Sequence, residues 1–369
     1  MATQIRHSQT GIARLKFLVV VVVVVVAVLS AVALVVFRVY KDSSSSENEV
    51  STAAKQVRNP LGVGLGLGFP ELPAAEFDRT LKMLQDGGCR WVRMDLRWDD
   101  VEKEQGEYDW SRIDRVAAAV EKHDINLVLI LNIRVPSWAN DSSNERLVPA
   151  DPSAYVAFAR AVVEHLPNQR YYEISNLPNA DGNWDPDPSA MAYTDYLRET
   201  YTAIKEIRPK SIVLAGGLGY NEVGPRHPRN IPGPKFLEQM YQAGAKPYFD
   251  VVSFHTYWWP GFEANGLGSL KEAIPVMKRH GDESKPIWIT EYGPPSADVG
   301  LEGQATLLRE QYETLAALPQ VRNIMWHDFR DATKGAHLNN KSKITKGLLQ
   351  PDFGLKPAWS AFTDITGGK

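Results

Sequence analysis

From residue 61 onward the chain alternates short strand-like stretches with longer helix-like ones, and no other feature narrows its fold so far. Strands are expected over Gly62–Gly68, Trp91–Leu96, Asn126–Ile133, Arg170–Asn176, Ser211–Gly216, Val251–Tyr257, Pro286–Glu291 and Asn323–Asp328. Helices are expected over Ala74–Gln85, Ser111–Lys122, Pro152–Leu166, Ser189–Ile207, Pro234–Ala243, Leu270–Arg279, Glu302–Leu318 and Pro357–Ile365. Strands that alternate with helices of this length imply parallel pairing through helical crossovers. Eight such units in this span fit an α/β protein with a (β/α)8 TIM barrel better than an open doubly wound sheet. The Gly62, Gly64, Gly66, Gly68 series lacks the spacing of a nucleotide-binding loop and falls on the first strand, so it reads as barrel packing.

A single transmembrane helix is expected ahead of the barrel. Phe17 to Phe37 is an uncharged, almost wholly apolar run that includes Val19 to Val26, eight valines in succession. About 20 such residues in a helix cover the hydrocarbon core of a bilayer. Valine is a poor helix former in water, but lipid enforces internal hydrogen bonding. Arg6, Arg14 and Lys16 precede the run and favour a cytoplasmic N-terminus, although Arg38 and Lys41 follow it. The expected organisation is a short cytoplasmic segment over 1–16, a signal-anchor helix over 17–40, a serine-rich flexible linker over 41–59 and the barrel over 60–369. A cleaved signal peptide ending near Ala31-Val32-Ala33 is the lesser alternative; the apolar run continues past that site. Either way the barrel lies on the extracytoplasmic side. Asn140-Asp141-Ser142 and Asn340-Lys341-Ser342 are glycosylation sequons that have meaning in a eukaryotic secretory host.

The net charge of −3 offers no electrostatic reason to expect nucleic acid. A lone cysteine, Cys89, excludes an intramolecular disulfide and reads as a small buried residue between a helix and a strand. His255 and His327 are too isolated in sequence to form a ligand set, so no metal and no cofactor is expected. Ten tryptophans are generous for this length and suit both a large core and flat ligands such as sugars.

In a (β/α)8 barrel the chemistry sits at the C-terminal ends of the strands. The polar and aromatic residues there are Arg93 and Asp95, Asn132, Asn176, His255 and Tyr257, Glu291, and Trp326 with Asp328. The apolar strand Pro286-Ile287-Trp288-Ile289-Thr290 ends abruptly in Glu291, which reads either as a solvated strand-end acid or as a nucleophile. His255 and Tyr257, two apart on the preceding strand, share one face and are expected to reach its carboxylate. Arg93 lies within an apolar strand and is costly to bury unpaired; Glu173 and Glu291 are its expected partners.

Several segments resemble clan A glycoside hydrolases, especially family 39 and related exopolysaccharide-degrading endoglycosidases. They are Arg93, Trp98, Val101-Glu102, Gly106 and Tyr108-Asp109-Trp110; Val135-Pro136-Ser137-Trp138-Ala139; Ser253-Phe254-His255-Thr256-Tyr257; Thr290-Glu291-Tyr292-Gly293; and Gly347-Leu348-Leu349 with Lys356-Pro357-Ala358-Trp359. The resemblance covers essentially the whole barrel. It implies retention of anomeric configuration with two carboxyls about 5 Å apart, Glu291 being the nucleophile. It also implies substrate-binding or supporting roles for Arg93, Asn132, Trp138, Asn176, His255, Tyr257 and Trp326, and an oligo- or polysaccharide as partner. Sugar specificity is expected to depend on the loops around Trp98, Trp138, Trp184, Trp258 and Trp259. The accessory β-sandwich of many family 39 relatives is not expected after the last helix.

The departure falls on the acid/base. The family's Trp-Asn-Glu-Pro stretch at the end of strand four reads Ser175-Asn176-Leu177-Pro178 here. Leucine neither donates nor accepts a proton. General acid catalysis contributes ~10² to 10⁴ in rate, or roughly 3 to 5 kcal/mol of barrier. Asp181, Asp185 and Asp187 in the following loop are candidate substitutes; Glu173 lies about 13 Å deeper at a typical strand rise and is expected to be structural. Three readings follow: a membrane-anchored glycosidase with an atypical acid, a catalytically silent glycan-binding barrel, and a transglycosylase.

Overall fold

The computed structural model describes residues 60–66, 68–139, 152–184, 186–219, 228–260, 266–332 and 344–368. The expected membrane helix and linker, both sequons and Asp185 lie outside the described residues. Among the described residues no helix is long and apolar enough to cross a membrane.

Eight strands form a closed, all-parallel barrel in sequence order. They are β1 (Leu61–Gly64), β2 (Trp91–Arg97), β3 (Asn126–Asn132), β4 (Tyr171–Asn176), β5 (Ile212–Gly219), β6 (Val251–His255), β7 (Ile287–Tyr292) and β8 (Val321–Trp326). The helices that return the chain are α1 (Ala74–Asp86), α2 (Ser111–Lys122), α3 (Ser153–His165), α4 (Ala190–Ile207), α5 (Gly233–Gln242), α6 (Gly266–Arg279), α7 (Leu301–Ala316) and α8 (Pro357–Thr366). β3 shows why such strands are nearly uniform in character: Leu127 to Leu131 are all buried, because one face meets the barrel interior and the other meets helices. α4 starts where Ser189 caps it, its hydroxyl accepting from the Ala192 amide at 3.2 Å.

β1 is shorter than the Gly62–Gly68 expectation. A side chain on Gly62 would lie 2.7 Å from the Trp91 carbonyl, so this glycine does serve packing. Gly66 and Gly68 lie beyond the strand, and a Cβ added to either would meet nothing within 4 Å, so neither serves packing.

The barrel interior is layered. Its floor is apolar: Val128, Leu214, Val251, Trp288 and Met325 cluster there. Trp91 meets Trp288 and Tyr171 edge-on at centroid separations of 5.0 and 4.7 Å. Directly above, the inward positions turn polar, with Arg93 on β2, Glu173 on β4, Ser253 on β6 and Thr290 on β7. The larger core fills the space between the barrel wall and the helices, where Trp98, Tyr155, Phe158 and Tyr193 are fully buried.

A second buried charge closes the barrel next to α8. Lys356 Nζ lies 2.7 Å from Asp331 Oδ1 and donates to the Gly347 carbonyl at 3.0 Å. Burial pushes the Asp331 carboxyl up and the Lys356 amine down, each held partly in check by the other. Losing one member of such a pair leaves a charge stranded and typically costs about 3–5 kcal/mol. Asp331→Ala is therefore expected to lower unfolding stability in urea by about that amount. A loss below about 1 kcal/mol would show that water replaces the partner.

Candidate active site

The site is built outward from Arg93. Its position on the inner face of β2, one layer above the aromatic floor, puts a guanidinium only 4% exposed inside the barrel. Nε and Nη2 meet the two Glu173 oxygens at 2.6 and 3.2 Å. Nη1 donates to Glu291 Oε1 at 2.8 Å, and Nη2 also donates to Asn176 Oδ1 at 2.8 Å. Arg93 thus joins β2, β4 and β7, and pairs with both expected glutamates. Burial works against its charge, but Glu173 first and then Glu291 outweigh burial and hold the proton more tightly than usual. Glu173 is fully buried and also accepts from Ser253 Oγ at 2.9 Å. Burial pushes its carboxyl up against the pull of Arg93.

Glu291 is placed by β7 with its second oxygen facing β6. The Tyr257 hydroxyl donates to Oε2 at 2.6 Å, and His255 Nδ1 lies 3.4 Å from the same atom. β6 ends at His255, so Tyr257 reaches the carboxylate from the following loop and not from the strand, as the alternation had suggested. Burial alone would raise the Glu291 carboxyl; His255, His327, Arg93 and the Tyr257 hydrogen bond oppose it and leave it well below the usual carboxylate range. Burial lowers His255 to about 3, so its imidazole is neutral at ordinary pH. With that ring neutral, His327, Arg93 and the Tyr257 hydrogen bond are the partners that keep Glu291 ionised. Tyr257 is itself pushed well above the usual tyrosine range by burial and by Glu291, and stays a donor.

β5 makes room for this arrangement with two glycines. A Cβ on Gly217 would lie 2.1 Å from His255 Nε2. A Cβ on Gly216 would lie 2.6 Å from the Ile174 carbonyl, against which the end of β4 is folded. That end is irregular: Ser175 and Leu177 both adopt left-handed backbone, at φ 66° and 51°. Such conformations are unfavourable for a bulky side chain and persist where surrounding contacts enforce them. Here the Leu177 amide donates to the Gly217 carbonyl at 3.2 Å, and buried Asn179 spans the Gly219 and Ile231 carbonyls. Leu177 is half-buried at the barrel mouth. Of the three candidate substitutes, Asp181 and Asp187 both meet Arg229, at 2.5 and 3.3 Å.

Other expected residues divide into those at the mouth and those in packing. Asn132 donates to Asp95 Oδ1 at 2.6 Å. Trp326 is fully buried, donates to the Lys346 carbonyl at 2.8 Å and lies under Gly293, where a Cβ would be 2.9 Å from its ring. Trp98 is buried and donates to Glu102 Oε2 at 2.6 Å, while Trp138 packs edge-on against it. Trp184 is buried between Tyr193 and Tyr196. Trp98 and Trp184 therefore belong to the core and not to a sugar-facing loop, whereas Trp258 is half-buried and packs against the core edge. Burial raises the Cys89 thiol to about 12, consistent with a packing residue.

Sequence reasoning weighed His327 only as a metal ligand and did not place it in the site. Its Nδ1 lies 2.8 Å from Asp328 Oδ1, and its ring stands edge-on to Tyr257 at 6.4 Å. Burial opposes its charge, but Asp328 and Glu291 outweigh burial and raise it above the usual histidine value. Lys346 completes this side of the mouth, its Nζ 3.8 Å from the Tyr257 ring centroid. The only signal in the sequence was adjacency to Trp326 and Asp328 at a strand end.

Known proteins share both the barrel and part of its sequence pattern. Residues 172–351 match the family described as the glycosyl hydrolase catalytic core. The barrel has the fold of clan A glycoside hydrolases of families 39 and 5. A family 39 glycoside hydrolase from Bacteroides cellulosilyticus superposes with a TM-score of 0.61 at 20% identity, over 84% of this chain and 64% of that one. The exo-β-1,4-mannosidase of an Opitutaceae bacterium gives 0.63 at 20% identity, over 84% and 59%. A family 5 protein from Bifidobacterium longum in complex with Manβ1-4GlcNAc gives 0.65 at 14% identity, over 84% and 78%. The chain thus spans under two thirds of the family 39 and mannosidase chains. No curated protein matches it in sequence.

The Arg93 network has a pH signature. The folded value of Glu291 is depressed, so its contribution to stability is present above the unfolded carboxylate value and is lost as pH falls through the lower folded value. Arg93→Met is expected to cost about 3–5 kcal/mol at pH 7 by stranding two carboxylates. The difference from the unaltered chain should narrow toward about pH 4, as those carboxyls take up protons. Urea unfolding across that range checks this; a pH-independent difference would rule out the electrostatic account.

Proposed function

We propose that the chain is a membrane-anchored glycoside hydrolase acting on extracellular or cell-surface polysaccharide by a retaining mechanism, with Glu291 as nucleophile. The observation that carries this reading is the state of Glu291. It is a strand-end carboxylate inside a barrel mouth, kept ionised by Arg93 and aimed by Tyr257. A residue needed only for packing has no use for a fixed negative charge at that point. The carboxylate attacks the anomeric carbon, the glycosidic oxygen departs, and water later releases the sugar from the resulting ester. Asn176 is held by the same Arg93 guanidinium. The anchor rests on the apolar run over 17–37 and the basic residues before it.

A second reading, a glycan-binding barrel without turnover, is favoured by one observation, Leu177 at the family's acid position. The detergent-solubilised chain assayed on 2,4-dinitrophenyl glycosides separates the two, because so good a leaving group needs little acid assistance. Turnover is expected, and Glu291→Ala should reduce it by on the order of 10⁴. Absence of turnover, together with glycan binding that survives Glu291→Ala, would establish the binding protein instead. Leu177→Glu is expected to raise activity on poor leaving groups by roughly 10-fold or more. In fractionation the chain should remain with membranes after an alkaline carbonate wash; release would favour the cleaved signal peptide.

A further inference from the structure

A hydrolase with Leu177 at its acid position needs a proton from elsewhere in the mouth, and the described carboxyls are few. Asp181 and Asp187 are paired with Arg229. Asp328 is paired with His327, and Asp331 with Lys356. Glu173 lies in the layer below, with both oxygens engaged by Arg93. Asp95 differs from all of these. It sits two residues beyond Arg93 on β2, so its side chain shares the inward face about 6–7 Å nearer the mouth. It is partly exposed. Asn132 on β3 donates to one of its oxygens at 2.6 Å, which orients the carboxyl. Among the described residues it forms no ion pair.

The electrostatics run in the direction the chemistry requires. Burial raises the Asp95 carboxyl, opposed by Arg93 and the Asn132 hydrogen bond; Glu291 adds to the rise and His327 opposes it. Arg97, two residues further along β2, also interacts with it, so the charged and titratable groups around Asp95 come from β2, β7 and the segment after β8. Glu291 in the same mouth is pushed the other way. Two carboxyls whose environments drive them apart are the arrangement in which one attacks while the other delivers a proton.

We propose that Asp95 is the acid/base partner of Glu291. The assignment rests on the hydrolase reading above. As a Glu291 oxygen bonds to the anomeric carbon and the glycosidic C–O bond breaks, the Asp95 proton passes to the departing oxygen. The Asp95 carboxylate then takes a proton from water, whose oxygen bonds to the anomeric carbon and displaces Glu291.

The test compares Asp95→Asn with the unaltered full chain on 2,4-dinitrophenyl and 4-methoxyphenyl β-xylosides and β-mannosides. The amide is nearly isosteric, and thermal unfolding checks that the variant folds. The expected result is a kcat/KM loss of ~10² to 10³ on the methoxyphenyl substrates and under about 10-fold on the dinitrophenyl ones. Added azide should speed turnover of the dinitrophenyl substrates by the variant and form a glycosyl azide of retained configuration. The basic limb of the pH profile on methoxyphenyl substrates should disappear. An equal loss on both substrate types without azide rescue, or no loss at all, would overturn the assignment. So would the same pattern in His327→Gln and not in Asp95→Asn. If the unaltered chain turns over nothing and Glu291→Ala changes nothing, the hydrolase reading itself fails, and the assignment with it. That outcome differs from an active enzyme indifferent to Asp95.

Discussion

A guanidinium inside a barrel is the constraint on which the rest of the site depends. Arg93 sits one layer above an aromatic floor, where an unpaired charge costs several kcal/mol. The fold answers by drawing Glu173, Asn176 and Glu291 onto its three nitrogens from two other strands. Once that is done, Glu291 is ionised and positioned as a consequence of stability, before any ligand arrives. The same interaction therefore serves both the folding of the barrel interior and the ionisation of Glu291.

The opposite wall is shaped by absence of side chains. Gly216 and Gly217 on β5 admit the folded end of β4 and the His255 ring. The left-handed backbone at Ser175 and Leu177 is carried by contacts around it, including the Gly217 carbonyl and the Asn179 side chain. The scaffold that presents residue 177 to the mouth is thus elaborate, yet the side chain presented is chemically inert.

Much of the fold was legible in the chain. The eight strands and eight helices follow from alternation, and their ends differ from expectation mostly by a few residues. β1 was over-extended because glycine alternation mimics a strand, although only Gly62 and Gly64 lie on it. β6 was over-extended because His255 and Tyr257 share a period of two, whereas Tyr257 belongs to the loop. The pairing of Arg93 with both glutamates was also readable, since buried charge demands partners whatever the geometry. The roles of the tryptophans were not: Trp98 and Trp184 are core, and a tryptophan in a loop motif carries no mark of which way it faces.

The chain by itself determined the barrel, the strand-end glutamate, its need of Arg93, and the leucine that follows Asn176 at the end of strand four. Each is a property of periodicity, of residue type, or of a charge that burial makes expensive. Only the tertiary structure decided which polar groups converge on the mouth. Asp95 with Asn132, His327 with Asp328, and Arg229 with Asp181 and Asp187 come from different strands and loops. Whether a carboxyl is raised or lowered depends on distances to charges far away in sequence, and those distances exist only once the barrel has closed.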